Sequence, residues 1–151
     1  MSKKKILFVC LGNICRSPLA EGVAQKLIEE KQLKLKVDSA GTIDWHQGKA
    51  PCDNSIAIAK QNHIDISKQK SRPILKTDIE KFDYVIAMDS QNKQDLEAFG
   101  FTDVILLGDY ANHQGKDVPD PYYFSGLQGF EKVFEMVELC VNDFLRVKFL
   151  S

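Results

Sequence analysis

The sequence predicts an α/β fold in which a parallel sheet is covered by helices on both faces, with an anion-binding loop after the first strand. Three observations predict it. Residues 6–9 (ILFV) form a short apolar run of the kind found in strands buried on both faces. Similar runs alternate with helix-like stretches along the chain. A glycine-containing turn, CLGNICRS at residues 10–17, separates the first run from the first helical pattern. In such sheets ligands bind at the carboxyl ends of the strands, which is where Cys10 falls.

The elements follow in order. After the turn, Leu19, Val23, Ala24, Leu27 and Ile28 recur at helical spacing, with Glu21, Lys26, Glu29 and Glu30 on the other face. Ser17 is predicted as the N-cap of this helix and Pro18 as its first residue, where a missing N–H costs nothing. Residues 33–40 (LKLKVDSA) alternate as a strand does, and 55–62 suggest a short helix. A second buried strand is predicted at 83–88 (DYVIAM), a helix at 90–99, a strand at 104–108 (VILLG), a polar loop through PDPYY and a final helix over 129–147. There are no repeats, linkers or low-complexity segments.

At 151 residues the chain suits one domain, residues 1–151, with a sizeable core. A net charge of −1 from 20 basic and 21 acidic residues gives no bulk attraction for nucleic acid or an anionic membrane. The apolar run after the basic start is too short for a signal peptide, and no stretch approaches the roughly 20 apolar residues of a spanning helix. Four cysteines, Cys10, Cys15, Cys52 and Cys140, without a secretory context read as thiols of a cytoplasmic protein. His46, His63 and His113 lack metal-ligand spacing, so no metal is expected.

A strand, a tight turn and a helix N-terminus form an anion cradle, since backbone N–H groups converge and the helix dipole favours negative charge. The turn matches neither G-x-x-x-x-G-K-[ST] nor G-x-G-x-x-G. It offers instead Cys10, five intervening residues and Arg16. A cysteine at a helix N-terminus beside a guanidinium is favoured as the nucleophilic thiolate. Arg16 supplies a planar fork for two oxygens of a phosphoryl group, and phosphoryl transfer depends mainly on such positioning. Gly12 and Asn13 tolerate the left-handed backbone of a tight loop, and the Ser17 hydroxyl is placed to donate to the thiolate. The same residues also suit small buried cysteines and a surface arginine, a use that the agreement of strand, turn and proline disfavours.

A departing oxygen needs a proton donor. In PDPYY, Pro119 and Pro121 stiffen the backbone around Asp120, and Tyr122 and Tyr123 with Trp45 are candidates for an aromatic slot. A proline-bounded turn with solvent-facing aromatics would give the same spacing.

These pieces together resemble the low-molecular-weight protein tyrosine phosphatases, in their bacterial-type form. The likeness rests on VCLGNICRSPLAEG at 9–22, DSAG at 38–41, FDYVIAMD at 82–89 followed by Asn92, and DPYY at 120–123, and spans nearly the whole chain. It implies three layers built on a four-stranded parallel sheet, and hydrolysis of phosphotyrosine in proteins through a cysteinyl phosphate, without a cofactor. On the resemblance, Cys10 is the nucleophile, and Arg16 grips the phosphate with the backbone of Leu11, Gly12, Asn13, Ile14, Cys15 and Ser17. Asp120 is the general acid and then base; Asn13 pairs with Ser39 to support the loop; and Trp45, Tyr122 and Tyr123 wall the cleft. The chain departs from the family's usual pattern at PCDN, 51–54, where P-D-P-R is common, and at Gln69, where a histidine is common.

Two related chemistries use the same loop. Protein-arginine phosphatases carry threonine where this chain has Ile14, and thioredoxin-coupled arsenate reductases need further cysteines in a region where none occurs between Cys52 and Cys140. A monomer or weak homodimer is expected. Cys15, inside the loop, is placed either to capture an oxidised Cys10 as a disulfide or simply to pack beneath it.

Overall fold

The computed structural model describes residues 3–121 and 126–150. In order, the elements are β1 (Lys4–Cys10), α1 (Arg16–Lys31), β2 (Leu35–Gly41), α2 (Asp53–Gln61), α3 (Asp78–Lys81), β3 (Tyr84–Ala87), α4 (Ser90–Phe99), β4 (Ile105–Leu106) and α5 (Gly126–Leu145). The four strands form one parallel sheet in the order β2-β1-β3-β4.

The central position of β1 explains its uninterrupted apolar run. Ile6, Phe8 and Cys10 face a core shared with α1, α2 and α5, while Leu7 and Val9 face a second core closed by Leu96 of α4, Phe101 and Val104. Residues 6–9 are each 0% exposed, so neither face of the strand tolerates a polar residue. On α5, Phe130, Val133, Phe134, Val137, Cys140, Val141, Phe144 and Leu145 repeat at helical spacing and are buried, each large side chain contributing about 1.5–3 kcal/mol. Phe144 meets Tyr84 and Tyr110 edge-on, with ring centroids 5.7 and 5.3 Å away. The layered architecture matches the expectation, helices on both faces included.

Several boundaries differ. α1 begins at Arg16, so Cys15 stands at the cap position, without a side-chain cap bond, and Ser17 lies within the first turn rather than before it. The Ser17 hydroxyl turns towards Cys10 instead of capping, and Pro18 still lies among the first residues, whose N–H groups have no helical partner. β4 has two residues rather than five, because the chain turns into a 3-10 segment at Leu107–Asp109. α5 starts three residues earlier than its periodicity suggested and passes into a π turn at Arg146–Leu150. The short α3 was not anticipated; it is held by Asp78, whose carboxylate accepts from the Leu75 N–H at 2.8 Å and from Arg72. Among the described residues, no helix is long and apolar enough to cross a membrane, and no group of three or more His, Cys, Asp or Glu could hold a metal ion.

Candidate active site

The turn after β1 is shaped by bonds that reach it from outside. The carbonyls of Cys10 and Leu11 accept from the N–H groups of Thr42 and Ile43 at 3.0 and 3.1 Å. That of Gly12 accepts from the Ser71 hydroxyl at 2.9 Å, and that of Ile14 from the Cys52 N–H at 2.8 Å. The Cys15 carbonyl accepts from the Ser55 hydroxyl at 3.1 Å. The loop's carbonyls are thus engaged by groups outside it, which suits a turn that would present its N–H groups to an anion. Gly41, at the end of β2, permits this closeness: a Cβ there would lie 2.8 Å from the Leu11 oxygen and 3.0 Å from the Gly12 carbonyl carbon.

Asn13 is the keystone of the loop. It is buried, with a left-handed φ of 57° that few side chains other than asparagine and glycine adopt readily. Its N–H donates to the Cys10 sulfur at 3.3 Å, and its Oδ1 accepts from the Arg72 N–H at 3.0 Å. Its Nδ2 donates to both Ser17 Oγ at 2.8 Å and Ser39 Oγ at 2.9 Å. Ser17 Oγ lies within hydrogen-bond distance of Cys10 Sγ, at 3.0 Å, and Ser39 donates to Glu21 Oε1 at 2.6 Å. Burial pushes the Glu21 carboxyl up to about 7, the Ser39 hydrogen bond working against it.

Arg16 is 3% exposed at the start of α1. Its Nη1 donates to Asp89 Oδ2 at 2.6 Å and to the Val118 carbonyl at 3.0 Å, while Nη2 lies 3.9 Å from Asp120 Oδ2. Burial opposes its charge, but Cys10, Asp89 and Asp120 more than offset this and hold the guanidinium more firmly protonated than in water. The loop bearing Asp120 is docked to the end of β3, the Val118 N–H donating to the Met88 carbonyl at 2.9 Å and Asp117 accepting from the Ser90 N–H at 2.8 Å.

Cys10, Leu11, Gly12, Ile14, Cys15, Arg16, Trp45 and Asp120 all line one cleft of about 470 Å³, together with Ile43 and His46. Trp45 stands at its mouth, 77% exposed. Tyr122 and Tyr123 lie outside the described residues. Three residues were given no role from sequence. Asp89 holds Arg16, and its place just past the strand beside β1 was the available signal. Glu21 takes the Ser39 hydrogen bond, whereas Gln69 donates to the Pro18 carbonyl at 3.2 Å. Arg72 ties the loop to Asp38 and Asp78 at 3.0 and 2.9 Å. Nothing in the spacing announced either of these last two.

A cysteine-bearing turn, a buried arginine and a facing carboxylate at the end of a parallel sheet suit phosphoryl transfer. The family model for the low molecular weight phosphotyrosine protein phosphatase matches residues 5–149. A pig protein named low molecular weight phosphotyrosine protein phosphatase is 35% identical over 150 residues, covering 94% of each chain. The low molecular weight protein-tyrosine-phosphatase YfkJ of Bacillus subtilis is 39% identical over 140 residues, 88% of each chain. The crystal structure of YfkJ superposes with a TM-score of 0.90, covering 97% of this chain and 95% of the other at 37% identity. That of DARP, a Drosophila arginine phosphatase, gives 0.90 at 31% identity, covering 96% and 98%. The chain belongs to the low-molecular-weight phosphotyrosine protein phosphatase family, and is thus an enzyme of the protein phosphatase class.

Proposed function

We propose that residues 1–151 act as a single phosphatase domain that hydrolyses phosphotyrosine in proteins through a cysteinyl phosphate. One observation carries this reading: Cys10 Sγ sits in the cleft between the Ser17 hydroxyl at 3.0 Å and the Asn13 N–H at 3.3 Å, beside an arginine fixed by Asp89. The amides of residues 11–17 and the Arg16 fork take up the phosphoryl oxygens. Cys10 attacks phosphorus in line with the tyrosyl oxygen, which leaves with a proton from Asp120. Asp120, now a carboxylate, takes a proton from water as it attacks the thiophosphate ester, and Cys10 departs as a thiolate stabilised by Ser17. Leu11, Ile14 and Trp45 offer an apolar path for an aromatic ring. The enzyme needs no cofactor and works in the cytoplasm on tyrosine-phosphorylated proteins, as a monomer or weak homodimer, with no nucleic acid or membrane as partner.

A protein-arginine phosphatase is the second reading, supported by the likeness to DARP. Against it stands Ile14, whose apolar side chain lines the cleft and offers a guanidinium no hydrogen bond. Rapid-quench hydrolysis of an aryl phosphate, with mass spectrometry of the acid-stopped protein, tests the mechanism. A burst with one phosphoryl group on Cys10, absent in Cys10→Ser, is expected. Faster turnover of phosphoarginine than phosphotyrosine peptides would transfer the assignment to the second reading.

A further inference from the structure

Cys52 has no part in the chemistry above. Its sulfur lies 2.8 Å from that of Cys15. Both are half-buried free thiols, so a small oxidant can reach them. The two backbones are tied together on either side of the sulfurs. The Cys52 N–H donates to the Ile14 carbonyl at 2.8 Å, and the Ser55 hydroxyl, 3.1 Å from the Cys52 sulfur, donates to the Cys15 carbonyl at 3.1 Å. Closing from 2.8 Å to the roughly 2.05 Å of an S–S bond therefore needs only a small side-chain movement. Cys15 in turn lines the same cleft as Cys10.

We propose that Cys52 is a second resolving thiol, so that oxidation of the active site by a hydroperoxide ends as a Cys15–Cys52 disulfide with Cys10 restored. This rests on Cys10 being the cleft's nucleophile. In the first step the Cys10 thiolate attacks the distal oxygen of ROOH: an S–O bond forms, the O–O bond breaks, and the alkoxide leaves as ROH after taking a proton. The Cys15 thiol then attacks the Cys10 sulfenic sulfur, forming the Cys10–Cys15 bond and releasing water. Finally the Cys52 thiolate attacks Cys15 Sγ, the Cys10–Cys15 bond breaks, and Cys10 departs as a thiolate. In sum, one hydroperoxide is reduced to alcohol and water while two thiols become a disulfide.

The last exchange has a direction. Exchange is fastest when the leaving thiolate is the better stabilised one, and Cys10 has the Ser17 hydroxyl and the Asn13 N–H waiting for it. The attacking sulfur is likewise prepared. The hydrogen bonds from Cys15 and the Ser55 N–H lower the Cys52 thiol's pKa despite burial, while Cys15 is raised by the same partnership and stays the proton donor.

The test treats the full-length protein with one equivalent of hydrogen peroxide, blocks free thiols with an alkylating agent, and maps bridges by mass spectrometry of an unreduced digest. Phosphatase turnover is measured separately on untreated protein, so a failed activity assay and a failed bridge map are distinct results. The expected product is a Cys15–Cys52 bridge with alkylated Cys10, and activity that falls and then returns without added reductant. In Cys52→Ser, untreated turnover stays at the parent level, but peroxide leaves a Cys10–Cys15 bridge and inactive enzyme until dithiothreitol is added. A stable Cys10–Cys15 bridge or a Cys10 sulfinate as the end product in the parent overturns the proposal. So does identical recovery of parent and Cys52→Ser.

Discussion

Asp89 gives each of its carboxylate oxygens to a different element: Oδ2 receives Arg16 Nη1 at 2.6 Å, and Oδ1 receives the Asn92 N–H at 2.7 Å as the N-cap of α4. The position of Arg16 is therefore tied to the start of a helix on the opposite face of the sheet.

Asp89→Asn should separate the two duties. The amide oxygen can still cap α4, but the charged bond to Arg16 is lost. We expect kcat/KM to fall about 10²-fold, the cost of roughly 1 Å of misplacement, with little change in urea midpoint. Asp89→Ala should add about 1 kcal/mol of destabilisation through the lost cap. Equal kinetics for Asp89→Asn and the parent would mean that Val118 alone suffices to hold Arg16.

Asp120→Asn should reveal its role through the leaving group. With phenyl phosphate, kcat should fall by about 10²–10⁴-fold, whereas dinitrophenyl phosphate, whose oxygen departs without a proton, should retain most of its burst rate. A uniform loss across both substrates would assign Asp120 to binding instead.

Trp45→Ala should leave stability within about 0.5 kcal/mol, since the side chain is 77% exposed. The inhibition constant of inorganic phosphate should be unchanged, because Trp45 is at the mouth of the cleft and not in the loop. That of a benzylphosphonate should rise several-fold. Parallel weakening of both inhibitors would show that the ring shapes the loop itself.

Gly41→Ala inserts a methyl group 2.8 Å from the Leu11 carbonyl oxygen. Overpacking of this kind costs about 1–3 kcal/mol. Because the clash is with the catalytic loop, thermal unfolding should shift down and kcat should fall together, as paired melting curves and kinetics will register.

Glu21 predicts a pH dependence of stability. Its carboxyl is raised from 4.5 to about 7 in the folded protein, chiefly by burial. The native state thus binds its proton more tightly than the unfolded chain does. The contribution is fully present below about 4.5 and is lost as pH rises through about 7. Relative to Glu21→Gln, which has no proton to lose, the parent should become progressively less stable between those values. Urea midpoints that run parallel across that range would contradict the assignment.

What the sequence disclosed and what it withheld divide along a physical line. Strand β1, the turn after it and the stripe on α5 are local patterns, with side chains, spacing and turn residues all within a few positions of one another. Cys10, Arg16 and Asp120, whose residue types and neighbours suit one chemistry, line one cleft. The roles of Asp89, Glu21 and Arg72 were not legible, because their partners Arg16, Ser39 and Asp38 lie 73, 18 and 34 positions away and only the fold brings them together. The pairing of Cys15 with Cys52, 37 positions apart, was hidden for the same reason. The Ser17 expectation failed instructively: a serine before a helix ordinarily caps it, but here a sulfur competes for the hydroxyl and wins.

The left-handed Asn13 and the outward-held carbonyls have one more consequence. The curvature of the loop is held by hydrogen bonds from Thr42, Ile43, Cys52, Ser55, Ser71 and Arg72, so much of its conformational entropy is surrendered during folding and not when substrate arrives. Tetrahedral oxyanions as different as phosphate, vanadate and sulfate should meet a rigid receptor, and differences among their affinities should report charge and bond length with almost no contribution from reshaping the protein.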